Sequence, residues 1–309
     1  MSVFVERTAK PSAFTSSDSW VILSDIEQRI KRKIESVGTP LKDWDIQINY
    51  GIKTGCNEAF IISTEKRDEI LANCKTADER KRTEALIRPI LRGRDIKRYG
   101  YDWANLWLIT AHNGYGKVPR IDIDNKYPAV KKWLDEGGVA YNGKLYSGLK
   151  QITRRADKGA TPYNLRNCAY MDDFSKPKIV WMDLSDVPTF AYDSKSRFVN
   201  NTVYFMTGNI NLLFMLGYLN SKMATYLFSQ IGSTSGVGTT RWQAFTMERL
   251  LVPAATPVQQ AEIAGLVEKG FTGKAADRST DTSALEAKID ALVYRLYGLA
   301  DDEIAAIAN

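Results

Sequence analysis

The chain has 309 residues, 25% of them charged and 44% hydrophobic, which excludes collagen-like, low-complexity and disordered classes. Lys and Arg number 42 against 36 Asp and Glu, giving a formal charge of +6 and a pI near 9.0; the balance leans toward a polyanionic partner. Cys56, Cys74 and Cys168 are scattered, without a C-x-x-C spacing, and read as reduced thiols, not as a disulfide frame or zinc site. The first twenty residues lack the basic-then-apolar pattern of a signal peptide. The longest apolar run, 210 to 219, is too short to span a bilayer, so the expected location is the cytoplasm.

"SDIEQRIKRKIESVG" opens with Ser24 and Glu27 in capping-box spacing, carries Ile26, Ile30 and Ile34 on one stripe and ends at Gly38. It predicts an amphipathic helix. After Pro40, "DWDIQINY" places Trp44, Ile46, Ile48 and Tyr50 on one face of a strand. The loop "GIKTGCN" joins it to a second apolar run, "EAFIIS", and a charged helix is expected from about 65 to 88, stopped by Pro89. From about 100 to 206, short runs such as "LWLITAH", "PKIVWMDL", "PTFAYD" and "RFVNNTVYFMT" alternate with Gly, Asn, Asp and Pro. These predict a β-rich, loop-rich region with a twisted, antiparallel or mixed sheet.

At Asn209 the pattern turns helical: Leu212, Leu216, Leu219, Met223 and Leu227 recur at helical spacing. Thr256, Pro257 and Gln259 supply cap, first-turn proline and capping-box partner for another helix. Ser283 and Glu286 have capping-box spacing for a third, with Leu285, Ile289, Leu292 and Leu296 on its apolar face. The stretch 270 to 283, "GFTGKAADRSTDTS", reads as a surface linker. The division is therefore a helical lead-in at 1–43, a β-rich domain at 44–208 and a helical bracing region at 209–309, an α+β chain.

Basic residues concentrate in "RPILRGRDIKRYGY", where Arg88, Arg92, Arg94, Lys97 and Arg98 surround one acid, Asp95. Guanidinium forks match phosphate oxygens and guanine edges, so the segment suits a nucleic-acid backbone. The plain alternative is a solvated turn with Arg94 and Asp95 in local ion pairs. In "IGSTSGVGTTRWQAF", glycines and hydroxyls lead into Arg241 and Trp242; the segment suits a close phosphate approach or, equally, a flexible connector, and it is not a P-loop. His112, the only histidine, sits beside Asn113 in "TAHNGYGK" and reads as a loop hydrogen-bonder, while Asn113 could pair with adenine if it faced a groove. Glu286 and Lys288 faintly echo an acidic nuclease pattern, but on an amphipathic helix such residues pair along the surface. No N-P-P-[YF], G-x-G-x-x-G, G-x-S-x-G or H-E-x-x-H motif is present, so the chain is not expected to be an enzyme on its own.

Taken in order, "YGIKTGCNEAFII", "LIRPILRGRDIKRYGY", "PKIVWMDLS" with "FAYD", "MLGYLNSKMATYLF" with "GVGTTRWQAFTMERLLVP", and "LEAKIDALVYRLYGLADDEI" resemble the target-recognition region of type IIG (Eco57I-like) restriction-modification enzymes and TaqI-like adenine methyltransferases. The resemblance spans about 44 to 304. It implies sequence-specific recognition of double-stranded DNA for an adenine methyltransferase, with base flipping completed in the partner's pocket. It implies no cofactor in this chain, and S-adenosylmethionine in a catalytic part, methyltransferase or endonuclease, of the same parent protein. It also implies that the glycines of "GIKTGCN" present Lys53, Thr54 and Asn57 to DNA, unless Gly51 and Gly55 serve only the turn. Arg92, Arg94 and Lys97 fall in the frame and are assigned to phosphates, and Arg98 of the same cluster is taken as DNA-binding; base-reading positions do not carry over from the resemblance, but Arg241, with Trp242 beside it, lies at the passage from sheet to helix, where a loop could reach a groove edge. The alternative function is a protein-interaction or anti-restriction module that binds a methyltransferase without reading DNA.

Overall fold

The computed structural model describes residues 23–234, 240–276 and 280–308. Helix α1 (Asp25–Val37) starts at the expected box: the Ser24 amide donates to Glu27 Oε2 at 2.7 Å and the Glu27 amide to Ser24 Oγ at 3.3 Å. Strands β1 (Gly38–Pro40) and β2 (Ile46–Tyr50) follow, then one helical turn, Asn57–Phe60, and strand β3 (Ile61–Ser63). The single helix expected at 65 to 88 is two, α2 (Thr64–Ala72) and α3 (Ala77–Leu86), each capped by its own hydroxyl residue, Ser63 and Thr76. Pro89 does not end a helix; it lies within β4 (Ile87–Leu91), opposite Trp107 of β5 (Leu106–Ile109).

The region 100 to 206 is less purely β than its sequence predicts. It holds α4 (Pro128–Glu136), the two-residue strands β6 (Gly138–Val139) and β7 (Leu145–Tyr146), and α5 (Leu149–Arg154). Then come β8 (Lys178–Met182), β9 (Leu184–Ser185), β10 (Phe190–Asp193), β11 (Phe198–Val199) and β12 (Val203–Gly208). The last third is helical as expected: α6 (Leu212–Leu219), α7 (Lys222–Ile231), short strands β13 (Ser233–Thr234), β14 (Thr240–Arg241) and β15 (Leu251–Pro253), and helices α8 (Pro257–Ala276), α9 (Ser283–Leu296) and α10 (Asp301–Ala308). Helix α8 runs into the segment read as a linker, whose residues 277–279 lie outside the described ones. The cap of α9 is Thr282, whose hydroxyl donates to Glu286 at 2.8 Å, while Ser283 turns to Asp281.

The central sheet has the order β10-β8-β12-β2, antiparallel throughout; a second, mixed sheet runs β11-β4-β5-β3. Because successive side chains on a strand point to opposite faces, the central sheet serves two cores. Val180, Val203 and Phe205 pack with the second sheet and α2 to α5, through Phe60, Leu108 and Val130. Ile179, Trp181 and Met206 pack on the other face with α1 and the C-terminal helices, through Ile30, Phe214 and Val293. Helix α1 belongs with the end of the chain: Lys33 reaches Glu303 at 2.6 Å, Arg29 pairs with Asp302, and β1 pairs with β15. The boundary drawn at 208 thus falls at the end of a strand that both cores share. The molecule is α+β.

Candidate nucleic-acid interface

Strand pairing brings several loops to one end of the two sheets. Tyr50 at the end of β2 lies opposite Tyr204, and Met182 at the end of β8 opposite Val203, so both strands finish where β12 begins. Strand β11 runs parallel to β4, and its Val199 meets Leu91, which brings the turn at 200–202 beside the segment that starts at Arg92. The Asn200 amide donates to Leu91 O at 3.0 Å, and the Asp183 amide to Thr202 O at 2.9 Å.

The glycines of "GIKTGCN" now have a reason. The chain leaves the central sheet at Tyr50 and enters the second sheet at Ile61, crossing the 199–203 backbone on the way: the Gly51 amide donates to Val203 O at 2.8 Å and the Ile52 amide to Val199 O at 2.7 Å. A Cβ on Gly51 would stand 2.1 Å from Asn200 O, and Gly55 has φ +68° with the Asp157 carbonyl oxygen 2.8 Å from where its Cβ would be. Between them Lys53 points outward and pairs with Asp157 at 3.0 Å. Thr54 is not presented to solvent. It is 1% exposed; its hydroxyl donates to Asn57 Oδ1 at 2.6 Å and accepts from the Cys56 amide at 3.2 Å. Thr54 and the half-buried Asn57 brace the loop that displays Lys53.

The 88–98 cluster divides in the same way. Arg92 grips Asp95 with both arms of its fork, at 2.8 and 3.1 Å, and Asp95 also accepts from the Arg92 amide. Asp95 therefore pairs with Arg92, not with Arg94 as the solvated-turn alternative had it. Arg98 faces away from the loop: it donates to Glu286 of α9 at 2.8 Å and to the Asn220 carbonyl, tying the sheet to the helices. Arg94 is exposed and has no ion pair among the described residues, and the ammonium of exposed Lys97 donates to the Arg94 carbonyl at 3.1 Å and has no ion pair among the described residues. These two remain available to a polyanion.

Arg241 on β14 is half exposed and reaches Asp183 at 3.0 Å, which sets it at the same sheet end, just past the end of β8. Trp242 turns inward, 2% exposed, with Nε1 donating to Ser185 O at 2.9 Å and its ring edge-on to Phe228. It is a core residue, packed in the second core just past the end of β14. Residues 235–239 of the Gly-Ser-Thr approach lie outside the described ones. His112 is half buried, its Nδ1 accepts from the Gly114 amide at 3.2 Å, and its ring meets Tyr115 edge-on. Burial pushes its pKa below the ordinary value. Asn113 bridges loops, donating to Asn167 at 2.6 Å and accepting from the Ala160 amide at 2.8 Å.

Several features have little trace in the sequence. Lys178 and Asp193 stand opposite each other on β8 and β10, both fully buried and 2.8 Å apart. Asp193 also accepts from the Tyr101 hydroxyl and from the Lys195 and Arg197 amides. Burial works to raise the Asp193 carboxyl, but Lys178 and these donors outweigh it and hold it below its ordinary value. Arg155, 6% exposed, lies under the Lys53 loop. The β6–β7 hairpin shows Val139 and Leu145, cross-strand partners 71% and 75% exposed, and its Asn142 touches Glu58 at 3.3 Å. No helix among the described residues is long and apolar enough to cross a membrane.

The segments that carry the sequence resemblance are thus mostly internal: "PKIVW" and "FAYD" hold the buried ion pair, Arg98 and Asn220 lock sheet to helix, and Trp242 fills the second core. In a comparison with solved structures, the fold is similar to that of the type IIL restriction-modification enzyme MmeI, solved in complex with DNA, at 14% identity and a TM-score of 0.56, over 87% of this chain and 35% of that one. The type IIG restriction endonuclease BpuSI matches at 14% identity and a TM-score of 0.49, over 88% of this chain and 32% of that one. The chain spans about a third of the length of either. A family model described as the TaqI-like C-terminal specificity domain matches residues 88–251, more than half of the chain and including the buried ion pair, the sheet-to-helix lock and the Arg94 loop. The chain belongs to the family of TaqI-like C-terminal specificity domains.

Proposed function

We propose that this chain selects a short double-stranded DNA sequence for a restriction-modification enzyme and positions an adenine for methyl transfer in a catalytic part of the same parent protein. The observation that carries this reading is the convergence of loops from both sheets at one end, where Lys53, Arg94 and Arg241 point outward from a rigid frame. Cations on loops held by buried polar and apolar contacts are what phosphate positioning requires. S-adenosylmethionine would bind in the catalytic part, and any nuclease would lie there too, in the cytoplasm.

The test is anisotropy of labelled duplexes, random and selected, titrated over a range of salt concentrations. Contact with roughly five to eight phosphates gives log K against log salt a slope of about −4 to −7, with tighter binding on the selected sequence. A chain that binds no duplex, or binds with no salt response, favours the alternative of a protein-interaction module. Incubated with S-adenosylmethionine, duplex and Mg²⁺, the chain alone is expected to transfer no methyl group and cut no strand.

A further inference from the structure

Resting on the DNA-binding reading above, we infer that Lys53 and Arg166 form a site for a DNA phosphate, and that the Asp157 carboxylate occupies this site in the DNA-free chain. One carboxylate oxygen lies 3.0 Å from Lys53 Nζ and the other 3.3 Å from Arg166 Nη1. A phosphodiester carries the same single negative charge and likewise offers two oxygens from one centre, so it can take the same pair of donors. Both cations are reachable from solvent, with side chains 44% and 41% exposed, and a narrow cleft lined by Tyr50, Asn167 and Tyr170 runs beside them.

Beneath the pair lies a third cation with no carboxylate of its own. The Arg155 guanidinium gives its hydrogens to main-chain carbonyls: Asp157 at 2.9 Å, Pro162 at 3.0 Å, and those of Thr54 and Asn164. Its plane covers the Phe60 ring at 4.3 Å. Burial lowers its pKa to about 10, which still leaves it charged at neutral pH. Lys53, Arg155 and Arg166 therefore share one carboxylate, and the cluster keeps a net charge of +2, three cations less one anion. Charge buried close beneath a surface is screened less by salt than charge in solvent, so the excess is felt at the rim. Arg155 is a positioning residue: it joins the Lys53 loop to the 157–164 segment through carbonyls alone.

The Asp157 side chain, by contrast, is not needed to shape the loop. Arg155 holds its carbonyl oxygen, and Gly55 passes close against its backbone. What the carboxylate supplies is a stand-in anion that keeps Lys53 and Arg166 aimed at one point until a phosphate displaces it.

The experiment uses the full chain, a fluorescent scrambled duplex and a KCl series, with the variants Asp157→Asn and Lys53→Gln/Arg166→Gln, each shown by thermal melting to be folded. Asp157→Asn keeps the backbone acceptor and removes the competing charge, so it is expected to bind about threefold to tenfold tighter, with a salt slope steeper by about one. The double variant is expected to bind more weakly, with a slope shallower by about one. Equal or weaker binding by Asp157→Asn, or unchanged binding by the double variant, overturns the site while leaving the DNA reading intact. Failure of the unsubstituted chain to bind duplex overturns the DNA reading and this site with it.

Discussion

Arg94 and Lys178 represent opposite uses of positive charge in this protein. Arg94 is exposed and outside any ion pair among the described residues, so Arg94→Ala is expected to leave the melting temperature unchanged. It should weaken binding to all duplexes alike and reduce the salt slope by about one unit. Arg241→Ala is expected to cost about 1 to 3 kcal/mol on the preferred site and much less on a scrambled duplex; equal losses on both would make Arg241 another backbone contact. Lys178 is fully buried against Asp193. Lys178→Met leaves that buried carboxylate with the Arg197 guanidinium, 3.7 Å away, as its remaining cation, at a cost of about 3 kcal/mol by urea unfolding. The pair also fixes an acid limit. The Asp193 carboxyl is held below its ordinary 3.8 in the folded chain, so its stabilising contribution is present above that pH and is lost as pH falls through the lower folded value. Asp193→Asn should remove that part of the acid dependence, visible as a flatter profile of unfolding free energy below pH 4.

At the scale of elements, helices were more legible than strands. The capping boxes of α1 and α8 are local in sequence and appear as read, with the Gln259 amide donating to Thr256 Oγ1 at 3.3 Å. The pairing of β3 with β5 instead of with β2 is non-local, and no local pattern announces it. The same blindness affected "GIKTGCN", which reads as a tight loop between two apolar runs; the glycines mark a crossing between sheets. Exposed charge was legible at Lys53, Arg94 and Arg241, whose side chains stay at the surface. Burial was not legible inside the motifs: Thr54, Arg98 and Trp242 have surface-like neighbours in sequence and buried or paired side chains in space. Gly51→Ala tests the crossing directly. Its Cβ would strike the Asn200 carbonyl, and backbone on both sides cannot give way, so a loss of about 3 kcal/mol is expected by urea unfolding.

For the whole molecule, the decisive feature is a central sheet with an apolar core on each face. Neither core can open without exposing one side of β8 and β12. Unfolding followed by tryptophan fluorescence, which reports Trp133 in one core and Trp181 in the other, and by circular dichroism should give one coincident transition. Two separated transitions would show that the cores unfold independently. The internal placement of the shared segments also bears on descent. A lineage that drifts at Arg94, or at Lys53 and Arg241 with their exposed ion pairs, changes side chains at the surface, whereas change at Lys178, Asn220 or Trp242 removes a buried structural contact. Change at those surface positions leaves foldability nearly constant, so laboratory evolution of this chain should find its tolerated substitutions concentrated on those same loops; under the function proposed above, that is where target choice would drift.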